Sequence, residues 1–154
     1  MKKILFLVAL MLGTLVSQAQ EIKWMTLNEA LAAQKKNPKP IFMDVYTDWC
    51  GPCKMLDKNT FHDPAVVKYV NENYYAVKFN GEGKEEVTYK GNIYGNPNYV
   101  EGRTGRNGVH TFTMFLKVQG YPSMYIFDKK GELQNPIVGY HTPEQLLPML
   151  KEQK

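Results

Sequence analysis

The residues best suited to chemistry in this sequence are its two cysteines, Cys50 and Cys53, which are separated only by Gly51 and Pro52. Two cysteines are too few for the disulfide framework of a small exported domain. A bridge between them would close a very small loop, which constrains the unfolded chain little. The pair is therefore better explained by thiol chemistry than by stability, although two structural thiols are an alternative.

The surrounding residues predict different roles for the two thiols. An apolar run precedes Cys50 and a helical pattern follows it, so Cys50 is expected at a helix N-terminus. Unpaired backbone N–H groups and the helix dipole stabilise an anion there. We therefore expect the pKa of the Cys50 thiol to lie below the free value of about 8.5. Pro52 fits the first helical turn, and Gly51 would let a partner chain approach closely.

This asymmetry predicts a disulfide-exchange mechanism. The Cys50 thiolate would attack a disulfide and form a mixed disulfide, and Cys53, one turn further along the helix, would resolve it. A second protein must then return the electrons. Half of a zinc site is an alternative, but four ligands are needed and there is no second cysteine pair. The sequence predicts no metal and no cofactor, since Lys54 stands where covalent haem attachment requires histidine.

The rest of the chain predicts an α/β domain that positions this motif. The central strands are expected to form a mixed sheet with helices on both faces. The predicted order is α-β-α-α-β-insertion-α-β-β-α. Helices are expected from 26, over 50–59 and 63–73, over 109–117 and from 142; strands are expected at 40–46, 74–79, 123–127 and 136–138, with a hairpin around 87–94.

The N-terminal residues resemble a secretory signal peptide. Two lysines precede an almost wholly apolar segment at 4–16, and small residues occupy the positions that a signal peptidase reads before Gln20. We therefore expect a signal peptide at 1–19, a domain at 20–154, and a periplasmic or otherwise secreted protein. An uncleaved membrane anchor is the alternative, although the apolar segment is short for a bilayer.

The charge balance argues against a nucleic-acid partner. The whole chain has 19 basic and 15 acidic residues. Loss of the two lysines in the expected signal peptide leaves 17 − 15 = +2. This nearly balanced charge is unlike a nucleic-acid surface, where Lys and Arg cluster on one face. Nothing in the sequence indicates an oligomer, so we expect a monomer.

Several segments resemble the thioredoxin family. Residues 42–54 read FMDVYTDWCGPCK and look like its active-site strand and turn, residues 77–80 (VKFN) its next parallel strand, and residues 118–127 (VQGYPSMYIF) its cis-proline segment. Residues 54–66 are similar to one branch, the exported C-terminal domain of the transmembrane thiol–disulfide interchange reductase. The resemblance implies a thioredoxin fold and covers nearly all of residues 22–154 apart from an insertion at 81–108.

The resemblance also implies roles for individual residues. Asp44 matches the buried acid beneath the disulfide, a base for the Cys53 thiol through water, and Lys78 matches the lysine that modulates it. Pro122 matches the cis-proline, which leaves the backbone of Tyr121 free to pair with a substrate strand. Trp49 would form part of the docking surface. The alternatives are that Asp44 is an exposed acid on a strand edge and Lys78 a surface lysine. For Pro122 and Trp49 they are a trans turn proline and a partly buried packing residue.

The insertion at 81–108 is the departure from the family pattern. Long irregular segments in compact domains are often lids or binding loops. The segment would either bind a partner through a surface formed by its three tyrosines and two arginines, or be a solvent-exposed extension without that role. These residues are Tyr89, Tyr94, Tyr99, Arg103 and Arg106. In contrast, Phe112, Phe115 and Leu116, which follow the insertion at helical spacing, are expected in the core.

Three hypotheses of function follow. The first is a reductase of disulfide-bearing exported proteins, supplied with electrons by a membrane-embedded thiol–disulfide donor. The second is an oxidase or isomerase of exported proteins. The third is a thioredoxin-like binding module or chaperone whose thiols sense redox state. The Gly-Pro pair between the cysteines resembles the reducing thioredoxins rather than the strong oxidants, which favours the first hypothesis.

Overall fold

The computed structural model describes residues 20–153. The signal peptide expected at 1–19 and the last residue of the expected domain lie outside the described residues. The elements, in chain order, are β1 (Trp24–Met25), α1 (Leu27–Lys36), β2 (Ile41–Tyr46), α2 (Gly51–Asn59), α3 (Pro64–Asn73), β3 (Tyr75–Asn80), β4 (Val87–Tyr89), β5 (Asn92–Tyr94), α4 (Thr111–Phe115), β6 (Ser123–Phe127), β7 (Ile137–Val138) and α5 (Pro143–Glu152).

A five-stranded mixed sheet forms the centre of the fold, with strand order β1-β3-β2-β6-β7. Strands β1, β3 and β2 are parallel, whereas β6 and β7 run antiparallel to their neighbours. The register places Asp44 of β2 directly opposite Lys78 of β3. The predicted α/β fold class and mixed sheet are therefore confirmed. Strand β1 was not predicted, because two residues are too few to show a strand period.

Helices cover both faces of the sheet, because alternate residues of its buried strands point to opposite sides. Phe42 of β2 packs with apolar residues of α2, α3 and α5 on one face. Ile41, Met43 and Val45 pack on the other face against α1, α4 and the β4–β5 hairpin. Asp44 shares the face of Phe42, which is the face that α2 covers.

Local capping explains where the helices begin. Thr26 and Glu29 form a reciprocal capping box at the start of α1. Asp63 accepts the N–H groups of Ala65 and Val66 at 3.0 Å before α3, whose first residue is a proline. None of the helices within residues 20–153 is both long and apolar enough to cross a membrane.

The insertion is closely packed against the domain, and part of the predicted surface belongs to its core. Tyr89 is buried and donates its hydroxyl to the Gly131 carbonyl at 2.8 Å, while Tyr94 packs on Phe112. The prediction that Tyr89 faces a partner was therefore wrong, whereas Tyr94 is partly buried beside the same hydrophobic cluster. Phe115 is another correction, because α4 ends there and leaves its side chain 45% exposed.

We predict that Phe42→Ala lowers the free energy of unfolding by about 3–5 kcal/mol. The Phe42 ring is fully buried and lies 5.8–6.3 Å from the rings of Trp24, Phe61 and Tyr74, so its removal leaves a cavity. Urea denaturation of the oxidised protein measures the loss. Met55→Ala is the control, because its side chain is 52% exposed and should change stability by less than about 0.5 kcal/mol. A loss below about 1 kcal/mol for Phe42→Ala would contradict this packing.

Candidate active site

The two cysteines form a disulfide at the start of α2. Their Cα atoms are 5.3 Å apart, and the Cys50 sulfur is bonded to that of Cys53. Cys50 is the N-cap residue of the helix, and its Sγ accepts the backbone N–H of Cys53 at 3.2 Å. The sulfur therefore lies where the unpaired N–H groups of the first helical turn converge, which is the arrangement that stabilises a thiolate in the reduced protein.

The approach to the disulfide is open on the side of the turn. The two cysteines are only 3% and 2% exposed, whereas Gly51 and Pro52 between them are exposed. A β-carbon added to Gly51 would meet no atom within 4 Å. Packing within the chain therefore does not require glycine here, and the free space lies where a partner chain would approach Cys50.

The segment before β6 forms a second side of the site. The peptide bond between Tyr121 and Pro122 is cis, as the resemblance implies, and Pro122 is buried. Within residues 20–153, no intramolecular hydrogen bond engages the backbone N–H or carbonyl of Tyr121. These two groups are therefore available to an added strand.

Trp49 lies between the disulfide and the insertion. Its Nε1–H donates to Oε2 of the buried Glu82 at 2.8 Å, and its ring makes an edge contact with Tyr121 at 5.8 Å. The guanidinium carbon of Arg106 lies 4.0 Å from the centre of the same ring. Glu82 and Arg106 belong to the two ends of the insertion, so both ends of that segment meet at the residue beside Cys50.

A buried carboxylate lies beneath the site. Asp44 is fully buried in β2, and its Oδ2 accepts from the Lys78 ammonium at 2.7 Å. Its Oδ1 has no protein partner among the described residues. Burial raises the pKa of Asp44 from 3.8 to about 6, although the nearby Lys78 charge opposes this rise. The alternative of an exposed acid on a strand edge is therefore wrong.

Lys78 connects three elements. It donates to Asp44 of β2 and to Asp57 of α2, and its ammonium group lies 4.9–5.2 Å from the ring centres of Trp24, Tyr46 and Phe61. Burial by itself would lower the pKa of Lys78, but the two carboxylates outweigh this effect and the pKa is raised. The side chain is only 21% exposed and forms ion pairs with two carboxylates, so it is not an ordinary surface lysine.

The family model of the thioredoxin-like domain matches residues 27–154. The chain belongs to the thioredoxin-like family. The predicted family resemblance is confirmed, and the Cys50–Cys53 pair forms a disulfide in this domain.

The similar proteins include a thiol–disulfide exchanger. The thiol:disulfide interchange protein DsbD of Salmonella choleraesuis is 30% identical over 109 residues, which are 70% of this chain and 15% of that protein. The oxidised C-terminal domain of DsbD from Neisseria meningitidis has a TM-score of 0.55 at 19% identity, over 85% of this chain and 99% of that domain. A thioredoxin from Thermus thermophilus gives 0.62 at 15% identity, over 88% of each chain.

This thioredoxin-like chain spans a small part of those DsbD proteins, between 7% and 15% of their length. The two structural likenesses, below 25% identity, show the thioredoxin fold.

The nine residues predicted for the site are linked by chain neighbourhood or by contacts: Trp49, which precedes Cys50, meets Tyr121, and Lys78 joins Asp44 to the helix that carries the cysteines. The nine are Cys50, Cys53, Asp44, Lys78, Trp49, Gly51, Pro52, Tyr121 and Pro122. Sequence reasoning missed Asp57 and Glu82. Asp57 lies one helical turn after Cys53, which is a spacing that places it on the same side of α2. The contact between Glu82 and Trp49 spans 33 positions and has no comparable signal. No group of three or more metal-ligating side chains occurs within residues 20–153.

We predict that the free energy of unfolding of Asp44→Asn, compared with that of the oxidised wild-type domain, becomes more favourable as the pH rises from acid to neutral. Well below pH 3.8, the ordinary pKa of this carboxyl, Asp44 is protonated in both the folded and the unfolded state. Between about pH 4 and 6 the unfolded chain releases its proton before the folded chain, so wild-type stability falls as pH rises. A pKa of about 6 against an ordinary 3.8 corresponds to about 3 kcal/mol above pH 7.

Urea denaturation at several pH values between 4 and 8 measures this difference. The free energy of unfolding of Asp44→Asn minus that of wild type should grow with pH and level off near pH 7. Loss of the contact with Lys78 lowers the free energy of unfolding of the variant over the whole pH range. Asp57→Asn is the matched control, because Asp57 is partly exposed and its loss leaves Asp44 buried. Parallel stability curves for wild type and Asp44→Asn would show that Asp44 does not titrate in this range.

Proposed function

We propose that this protein is an exported protein-disulfide reductase that acts through the Cys50–Cys53 dithiol. The observation that carries the proposal is the Cys50–Cys53 disulfide at the N-terminus of α2, together with a buried carboxylate on the strand that precedes this helix. Export is proposed from the signal peptide expected at 1–19 and places the protein in the periplasm or a comparable compartment. The similarity to thiol:disulfide interchange proteins supports the same chemistry.

In the first step, the reduced protein attacks a substrate disulfide. The Cys50 thiolate forms a bond to one substrate sulfur, and the substrate S–S bond breaks. The leaving substrate sulfur takes the electron pair and a proton from water. The helix N-terminus stabilises the attacking thiolate, because the N–H of Cys53 already points at the Cys50 sulfur.

In the second step, Cys53 resolves the mixed disulfide. Its thiol passes a proton through water to Asp44, whose pKa of about 6 lies close to the working pH and suits a general base. The Cys53 thiolate then bonds to the Cys50 sulfur, and the second substrate sulfur leaves with its electron pair and is protonated. Two electrons have moved to the substrate, and the protein carries the Cys50–Cys53 disulfide. Lys78 holds Asp44 in place and modulates its proton affinity.

Substrate docking is assigned to the rim around the disulfide. We propose that the free N–H and carbonyl of Tyr121 pair with an extended substrate segment beside the buried Pro122. Trp49 supplies an apolar wall, and the exposed Gly51 and Pro52 leave the turn uncovered. A protein dithiol embedded in the membrane would return two electrons to the oxidised pair. The protein acts as a monomer in this proposal.

The two thiols should titrate separately in the reduced protein. We expect the alkylation rate of Cys50, measured in Cys53→Ser, to reach half of its maximum well below pH 8.5, because the helix start stabilises its thiolate. Cys53, measured in Cys50→Ser, should require a higher pH, because it is buried inside the first turn. Iodoacetamide labelling against pH provides both values. Equal midpoints would contradict the assigned roles.

Insulin reduction with dithiothreitol tests the activity. Wild type should accelerate precipitation of the insulin chains, and Cys50→Ser should show no acceleration, because the attacking sulfur is gone. Cys53→Ser is the matched control: it should retain a single attack and accumulate a mixed disulfide. If wild type is as inactive as Cys50→Ser, the thioredoxin-like binding module is the better hypothesis.

The reduction potential of the pair decides the direction of transfer. We expect a value near that of reducing thioredoxins, about −270 mV, and far from the strong oxidants at about −120 mV. Equilibration of the purified protein with glutathione or dithiothreitol buffers gives this potential. A value close to that of the strong oxidants would favour an oxidase or isomerase of exported proteins.

A further inference from the structure

Arg106 is held at the rim of the active site by a residue of the exchange motif. Its guanidinium carbon lies 4.0 Å from the centre of the Trp49 ring, within the range of a cation–π contact. The charge is also close enough to Tyr121 to oppose part of the rise in the pKa of that phenol. Arg106 therefore stands beside both residues that flank the disulfide, Trp49 before Cys50 and Tyr121 before Pro122.

The backbone beneath Arg106 is fixed. The N–H of Asn107 donates to Oε2 of Glu82 at 2.7 Å, and the same oxygen accepts from Trp49 at 2.8 Å. The side chain of Asn107 also bonds with both backbone groups of Val100, at 2.8 and 2.9 Å. One buried carboxylate thus joins the end of the insertion to the indole on which Arg106 lies.

The N–H donors of the Arg106 side chain have no partner in the part of the chain that the structure describes. Its side chain is exposed, and among residues 20–153 it makes neither a hydrogen bond nor an ion pair. Glu82 lies at the other end of the insertion, but its Oε2 accepts from Trp49 and Asn107, and it forms no ion pair with Arg106. A planar guanidinium held against a ring keeps a fork of N–H donors whose geometry matches a carboxylate.

We propose that Arg106 is a specificity-determining residue that binds an acidic side chain next to the target cysteine of a protein disulfide. This inference rests on the proposed reductase function and names the class of substrate that it prefers. A substrate segment paired with the backbone of Tyr121 passes beside Trp49, and a carboxylate one or two positions from its cysteine reaches the guanidinium. The insertion thereby selects substrates, while the chemistry stays with the two cysteines.

Two peptides of equal length test the proposal, each with one intramolecular disulfide and with either two glutamates or two glutamines beside a cysteine. The rate of reduction by the reduced protein is measured for each peptide and divided by the rate with dithiothreitol, which removes the intrinsic difference between the disulfides. Wild type should favour the glutamate peptide by about threefold to tenfold, the range expected for a charged hydrogen bond at a partly exposed site.

Arg106→Gln should reduce this ratio to about one. Arg103→Gln is the matched control, because it removes another exposed arginine of the same insertion, whose side chain has no hydrogen bond, ion pair or cation–π contact among the described residues; it should keep the wild-type ratio. The preference should also weaken between 0.05 and 0.5 M salt as the charges are screened.

An unchanged ratio in Arg106→Gln, or an equal loss in Arg103→Gln, would overturn the assignment to Arg106 and leave the reductase function intact. If the reduced wild type reduces neither peptide while dithiothreitol reduces both, the proposed function itself fails, and the inference fails with it.

Discussion

A carboxylate buried in the sheet is the constraint around which the active site is organised. Asp44 lies fully buried on the central strand β2, where an unpaired charge would cost several kcal/mol. Lys78 on β3 supplies the opposite charge, and it is itself shielded by aromatic rings and held by Asp57 on α2. The pair therefore fixes two neighbouring strands and the helix that carries the cysteines relative to one another. The acid and the disulfide keep their positions because they share these three elements.

Such a pair is a poor way to stabilise a fold. Apolar side chains of similar volume are often as stable as a buried ion pair or more so. The pKa of Asp44, raised to about 6, shows that Lys78 only partly compensates for the loss of solvent. A group that is kept at such a cost is better explained by chemistry, because a carboxyl with a pKa near the working pH can both accept and release a proton. The unpartnered Oδ1 of Asp44 is the atom suited to that exchange.

The predictions that succeeded rest on local signals. The strand, turn and helix around Cys50 are predicted by an apolar run, a helix start and a proline. The helix caps at Thr26 and Asp63 are predicted by residues within four positions of each cap. The missed features depend on tertiary contacts. Glu82 reaches Trp49 across 33 positions, and Tyr89 reaches Gly131 across 42. An exposed tyrosine and a buried one look the same in a sequence, so the insertion was predicted as a surface although its hairpin completes the core.

The packing of the insertion separates two tasks. Its hairpin packs on the face of the sheet opposite to α2, in the same hydrophobic cluster as Val45 and Phe79. Its two ends instead converge on Trp49 through Glu82 and Asn107. Arg106 belongs to neither hydrophobic cluster, and among residues 20–153 its guanidinium lies on the Trp49 ring, so a change there should leave both clusters and the buried acid in place. In the proposed function, a change at Arg106 would therefore alter substrate selectivity while Cys50, Cys53 and Asp44 stay the same.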